Sequence, residues 1–175
     1  SFGMQAYHMR WFLDHLPASG VELSNVSTDL IGFQIAGPKA RSVLAATTRF
    51  DVSNEAVPFL SIQRMEIGQC DALVQRVSYT GDLGYEIYVP KEQQISLYYS
   101  LAAAGEPFGM KPFGMRAMMS LRLEKSFGSW MREFKPDYTP LETGMDRFMS
   151  YDKAADYIGK DAALEERNNP PQRRL

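Results

Sequence analysis

Cysteine is nearly absent: Cys70 stands alone in 175 residues. No intrachain disulfide and no thiolate metal cage is then available, and a lone thiol fits a reducing compartment. Histidine is almost as scarce. His8 and His15 lie seven apart on one helical face, but no third ligand follows at a sensible spacing, so packing or surface use is expected and no metal. Charge of one sign is also missing. Nineteen Lys and Arg oppose twenty-one Asp and Glu, a net of −2, which argues against a nucleic-acid partner and against an acidic solvating tail. Uncharged stretches such as QISLYYSLAAAG (94–105) are too short and too mixed to span a membrane. The opening SFGMQAYHMRWF has no charged-then-apolar leader pattern, and the closing EERNNPPQRRL is polar and Pro-containing. Together these ends suggest an internal piece of a longer polypeptide. What is present is ordinary globular material, 45% hydrophobic and 23% charged.

Periodicity predicts an amphipathic helix over 4–16 and strands over 21–27, 30–36, 59–67, 72–79 and 85–89. Gly37-Pro38 precedes a predicted helix to about residue 46, with Val43 and Leu44 inward. A helix from Pro90 through residue 103 is expected to turn Ile95, Tyr98, Leu101 and Ala102 to one face. Another helix is expected over 114–127, an irregular stretch over 128–153, and a last short helix over 157–167. Short turns between the middle strands favour an α+β fold, an antiparallel sheet covered by helices, over a doubly wound one.

Residues 76–90, RVSYTGDLGYEIYVP, raise a chemical question, because Glu86 interrupts a strand pattern. With Gly81–Gly84 as a four-residue hairpin loop, Tyr79 falls across from Glu86, and Tyr85, Ile87 and Val89 share the other face. One reading is a solvated Glu paired with a basic neighbour. The other is a ligand carboxylate beside aromatic rings. An ionised carboxylate only accepts hydrogen bonds and offers two coplanar oxygens, so it suits a flat heterocycle with adjacent N–H donors, such as a 2-amino-pyrimidinone edge.

Four ordered segments carry a resemblance: FQIAGPKARSVL (33–44), YTGDLGYEIYVP (79–90), GMRAMMSLRLEKSFGSW (114–130) and DYTPLETGMDRFMSYDKAADYIGKDAAL (137–164). They resemble elements of the glycine-cleavage aminomethyltransferase (T-protein) folate-binding family. Arg122 to Lys125, followed by an aromatic and then Trp130, gives this chain the flavour of the folate-binding C-terminal half of dimethylglycine and sarcosine dehydrogenases. The resemblance implies an α+β module with a ferredoxin-like core over 1–127. Residues 128–175 would be an irregular segment, short helix and linker toward a C-terminal barrel outside the chain. It implies tetrahydrofolate as cofactor, with FAD only in a domain of the parent chain. Glu86 would bind the pterin edge, with Tyr79 lining that pocket.

Trp130, in its Gly-Ser-Trp turn, is a further candidate to flank the ligand, simple burial being the alternative. The family's catalytic aspartate falls before residue 1, so the catalytic group is unknown here. Met118 stands where the transferase carries an arginine, which weighs against a strict transferase and leaves the dehydrogenase-type module first. A free glycine-cleavage aminomethyltransferase and a non-catalytic scaffold are the alternatives. Expected partners are a small-molecule folate and a one-carbon donor, with no nucleic acid and no membrane. A homo-oligomer is left open, as is cytoplasm against mitochondrial matrix. Arg122 and Glu124 are expected to form ion pairs that hold their helix. The methionines at 110, 115, 118 and 119 should fill core gaps, Cys70 should be inert, and AGPKAR lacks the ending of a phosphate loop.

Overall fold

Alternating apolar and polar side chains draw the chain into four strands, β1 (Leu30–Ala36), β2 (Ile62–Ile67), β3 (Cys70–Gln75) and β4 (Gly84–Pro90). The computed structural model describes residues 4–130 and 132–173; the last two residues of the polar closing run lie outside them. All four strands pair antiparallel in the order β1-β4-β3-β2. The β2–β3 hairpin turns on Gly68-Gln69, with Gly68 at φ 60° as a tight two-residue turn prefers.

One face of this sheet is the core. Ile35, Met65, Ile67, Ala72, Val74, Tyr85, Ile87 and Val89 pack there. Against them lie Val43 and Leu44 of α2 (Ala40–Ala45) and Leu97 and Leu101 of α3 (Gln94–Gly105). Each Val, Leu, Ile or Met side chain fully removed from water there contributes roughly 1.5–3 kcal/mol. The α+β expectation holds: a four-stranded antiparallel sheet with helices. In element order, β1-α2-β2-β3-β4-α3, three strands run consecutively between the helices. A ferredoxin-like arrangement would run two there and place its fourth strand after the second helix.

By contacts the chain divides into two units, residues 1–127 and 128–175. The first also holds α1 (Gln5–Asp14) and α4 (Met115–Glu124). In the second, Thr139 and Glu142 form a reciprocal cap. The Glu142 N–H donates to Thr139 Oγ1 (3.3 Å), and the Thr139 N–H donates to Glu142 Oε2 (2.9 Å). This is the Thr-x-x-Glu signature of a capped turn, which accounts for TPLE structurally. The Arg173 guanidinium bonds the other Glu142 oxygen, and α5 (Lys160–Asn168) follows.

Several expectations are corrected. Residues 21–27 form no strand; Asn25 Oδ1 takes the Ser27 N–H (3.0 Å) and the Gln5 amide (2.8 Å), so side chains hold that backbone locally. The buried stripe of α3 is Leu97, Leu101 and Gly105, while Ile95 is 70% exposed and Tyr98 48%. An almost wholly apolar helix has no unique oily side, so packing chose it. The amphipathic helix exists as α1, but it buries no residue. Met110 and Met115 are exposed, and Met118 and Met119 are only partly buried.

Candidate functional site

Glu86 occupies the middle of β4, a strand bonded on both sides. Its partner in β1 is Gln34 and its partner in β3 is Gln75. Strand alternation turns Tyr85, Ile87 and Val89 into the core, each fully buried, and leaves Glu86 and Tyr88 half-buried on the opposite face. Gln34, Glu86 and Gln75 thus form a polar row across three strands.

The expected hairpin is corrected here. The ladder ends at Gln75–Glu86, so Tyr79 is not across from Glu86; it stands half-buried in an eight-residue loop, 76–83. The cause is Arg76, which turns away from β4 toward an earlier segment. Its N–H donates to Ser61 O (3.1 Å), its carbonyl accepts from the Leu60 N–H (3.0 Å), and its guanidinium reaches Val57 O (2.9 Å). The loop then folds back over the sheet. The Ser78 and Thr80 hydroxyls are 2.8 Å apart, Thr80 is buried, and Ser78 lies so close to Gly84 that a Cβ there would meet Ser78 Cβ at 2.5 Å. The register differs from the expected one by four residues, an even number, so Glu86 keeps its face.

Tyr88 completes the geometry. Its hydroxyl donates to Glu86 Oε2, and its ring covers Gly32 of β1, where an added Cβ would lie 2.9 Å from Tyr88 Cε1. Burial, and then the hydrogen bond and charge of Glu86, push the phenol up to about 12. The proton therefore stays on tyrosine. Glu86 forms no ion pair among the described residues, so the paired-with-a-base alternative has no support in this geometry. Among the described residues this half-buried carboxylate has Oε2 held by Tyr88, and Oε1 keeps its acceptor capacity.

Trp130 belongs to the second unit, 51% exposed, bridged through its backbone to Phe134. Arg122 is buried at 2% exposure and donates to Phe127 O (2.8 Å), which closes the end of α4, while Glu124 is exposed. Cys70 is fully buried in the core, with its thiol 3.8 Å from Gln93 O. A hollow of about 950 Å³ runs along β1 and α3, lined by Phe33, Gln34, Tyr98, Leu101 and Phe113 among others; Glu86 does not line it. Gln34 and Gly32 were not singled out from sequence. The signal was there for Gln34, a polar residue between Phe33 and Ile35 as Glu86 is between Tyr85 and Ile87, but only the β1–β4 register makes them neighbours.

A carboxylate backed by a tyrosine thus stands in a central strand of an α+β module. The family model for the GCVT N-terminal domain matches residues 1–153, and the chain belongs to that family. It is an aminomethyltransferase-type domain. Among curated relatives, human mitochondrial dimethylglycine dehydrogenase is 36% identical over 175 residues, covering 99% of this chain and 20% of that protein. The aminomethyltransferase of Caldanaerobacter subterraneus subsp. tengcongensis is 36% identical over 166 residues, covering 95% of this chain and 44% of that protein. The chain therefore spans a fifth to under half of the relatives it matches. Among solved structures, heterotetrameric sarcosine oxidase from Corynebacterium sp. U-96, in complex with pyrrole 2-carboxylate, is 17% identical with a TM-score of 0.48, over 58% of this chain and 50% of that one.

Proposed function

We propose that the chain is a tetrahydrofolate-binding one-carbon transfer module of a multidomain N-methyl amine dehydrogenase of the dimethylglycine or sarcosine type. The observation that carries this is Glu86: a half-buried carboxylate in a central strand, without a cation among the described residues, fixed by Tyr88. Such a group only accepts hydrogen bonds and offers coplanar oxygens, which suits a flat partner rich in N–H donors such as the 2-amino-4-oxo pyrimidine edge of a pterin. When bound, tetrahydrofolate supplies the nitrogen atoms that accept a one-carbon unit. The chain's own contribution would be to bind and orient: Glu86 would take the pyrimidine edge, and Tyr88 holds one oxygen of that carboxylate. Orientation of this kind replaces a chance encounter by a positioned one and keeps water from a reactive electrophile.

The family's shared domain and the match to dimethylglycine dehydrogenase over nearly the whole chain support the reading. A free aminomethyltransferase of glycine cleavage is the second reading, supported by the equal identity to a bacterial aminomethyltransferase; Met118 at the arginine position weighs against it. The dimethylglycine dehydrogenase relatives are named mitochondrial, which puts the matrix beside the cytoplasm as the compartment. The test is calorimetric titration of tetrahydrofolate into the natural polypeptide that carries this chain, beside its Glu86→Gln variant. Loss of one charge-assisted contact should weaken binding roughly tenfold or more. Equal affinity in the two proteins refutes the pterin assignment.

A further inference from the structure

Next to Glu86 the sheet holds a second polar atom without an assigned use. Gln34 Nε2 is shut off from solvent and has no hydrogen-bond partner among the described residues. A buried amide donor left unpaired is costly, and native folds retain such a group when something else completes it. Gln34 is the direct cross-strand partner of Glu86, so their Cβ atoms stand roughly 5 Å apart on one face. Its neighbour Gly32 is covered by the Tyr88 ring, which closes that side. The two side chains together therefore offer two acceptor oxygens followed by one donor.

The geometry points to Gln34 as a specificity residue that donates to the carbonyl oxygen of a 2-amino-4-oxo pyrimidine whose two N–H groups are held by Glu86. This rests on the proposed pterin site and deepens it: acceptor, acceptor, donor on the protein is the complement of donor, donor, acceptor along that ring edge. Tyr88 holding one lone pair of Glu86 Oε2 leaves lone pairs enough for both ligand N–H groups, since a carboxylate offers about four. Gln75, on the far side of Glu86, lies in the same row but has no unpartnered atom of this kind. The order of the code along the ring edge follows from that asymmetry.

The experiment compares tetrahydrofolate with its 4-thio analogue, which keeps both N–H donors and replaces the carbonyl oxygen by sulfur, a weak acceptor. Affinities of both are measured on the natural polypeptide, unchanged and as Gln34→Met and Glu86→Gln. The unchanged protein should prefer the oxygen compound by about tenfold, and in Gln34→Met this ratio should fall to about one. Because the ratio is read within one protein, a folding loss moves both affinities together and leaves it intact. A ratio that survives Gln34→Met overturns the inference. If Glu86→Gln still weakens both ligands in that case, only the role of Gln34 fails. If Glu86→Gln changes neither, or the unchanged protein binds neither, the pterin site fails and the inference with it.

Discussion

Replacing Tyr88 by Phe tests the one hydrogen bond on which the site's geometry turns. The substitution keeps the ring over Gly32 and removes only the hydroxyl that donates to Glu86 Oε2. A hydrogen bond to a charged group contributes about 1.5–3 kcal/mol when dry. Tyr88 and Glu86 are half-buried, so water replaces part of it, and a loss of about 1 kcal/mol is expected. With a urea dependence of about 2 kcal/mol per molar, the midpoint should fall by about 0.5 M. Alkaline pH gives an independent readout. The phenol's folded value of about 12 lies above the ordinary 10, so the folded state holds this proton longer than the unfolded chain does. The associated stability is fully present below pH 10 and is lost as pH rises toward 12. Tyr88→Phe should remove that window. Urea melts at neutral pH and through the alkaline range, with phenolate absorbance alongside, measure both effects. A variant with the parent's midpoint and the parent's alkaline limb refutes the Tyr88–Glu86 bond as drawn.

Three further outcomes follow from the packing. Gly84→Ala forces a Cβ to 2.5 Å from Ser78 Cβ and 2.9 Å from the Ile35 carbonyl; it should cost about 1–3 kcal/mol in a urea melt, as overpacking does. Leu97→Ala should cost about 2–5 kcal/mol by the same measurement, whereas Ile95→Ala should stay within about 0.5 kcal/mol, since the first is fully buried and the second 70% exposed. In the second unit, the Arg173 guanidinium and then the Thr139 N–H hold Glu142 below the usual carboxylate range. That stabilisation is present above the ordinary value near 4.3 and is lost as pH falls through the lower folded one. Trp130 fluorescence, followed through acid titration in a Trp11→Phe background, should show Glu142→Gln weaker at neutral pH and less sensitive to acid.

The strand that carries Glu86 was legible because a charge between Tyr85 and Ile87 breaks an otherwise apolar alternation, and alternation depends only on the two-residue period of a strand. The same held for β1, where 30–36 was read with the observed bounds. Resemblance in four ordered segments identified the family without any coordinates. The partner of Glu86 was not legible. Gly81-Asp82-Leu83-Gly84 has the composition of a tight hairpin, yet Arg76 bonds residues 60 and 61 instead of continuing beside β4. That choice is made by a segment fifteen residues earlier, and no local rule contains it. The face of α3 was illegible for a related reason: with apolar residues all round, only the sheet beneath decides which are covered.

What the amino-acid order determined by itself was four of the five strands read from it, the helices, the α+β class, the lack of an intrachain disulfide and of a thiolate cage, and the singling out of Glu86. These follow from local periodicity and from side-chain chemistry, which need no partner. Only the tertiary structure decided that Gln34 and Gln75 flank that carboxylate, that Tyr88 rather than Tyr79 bonds it, and that Gly32 makes room for the ring that does so. Strand register sets these neighbours, and register is chosen by the total packing of the sheet, a sum over contacts distant in the chain.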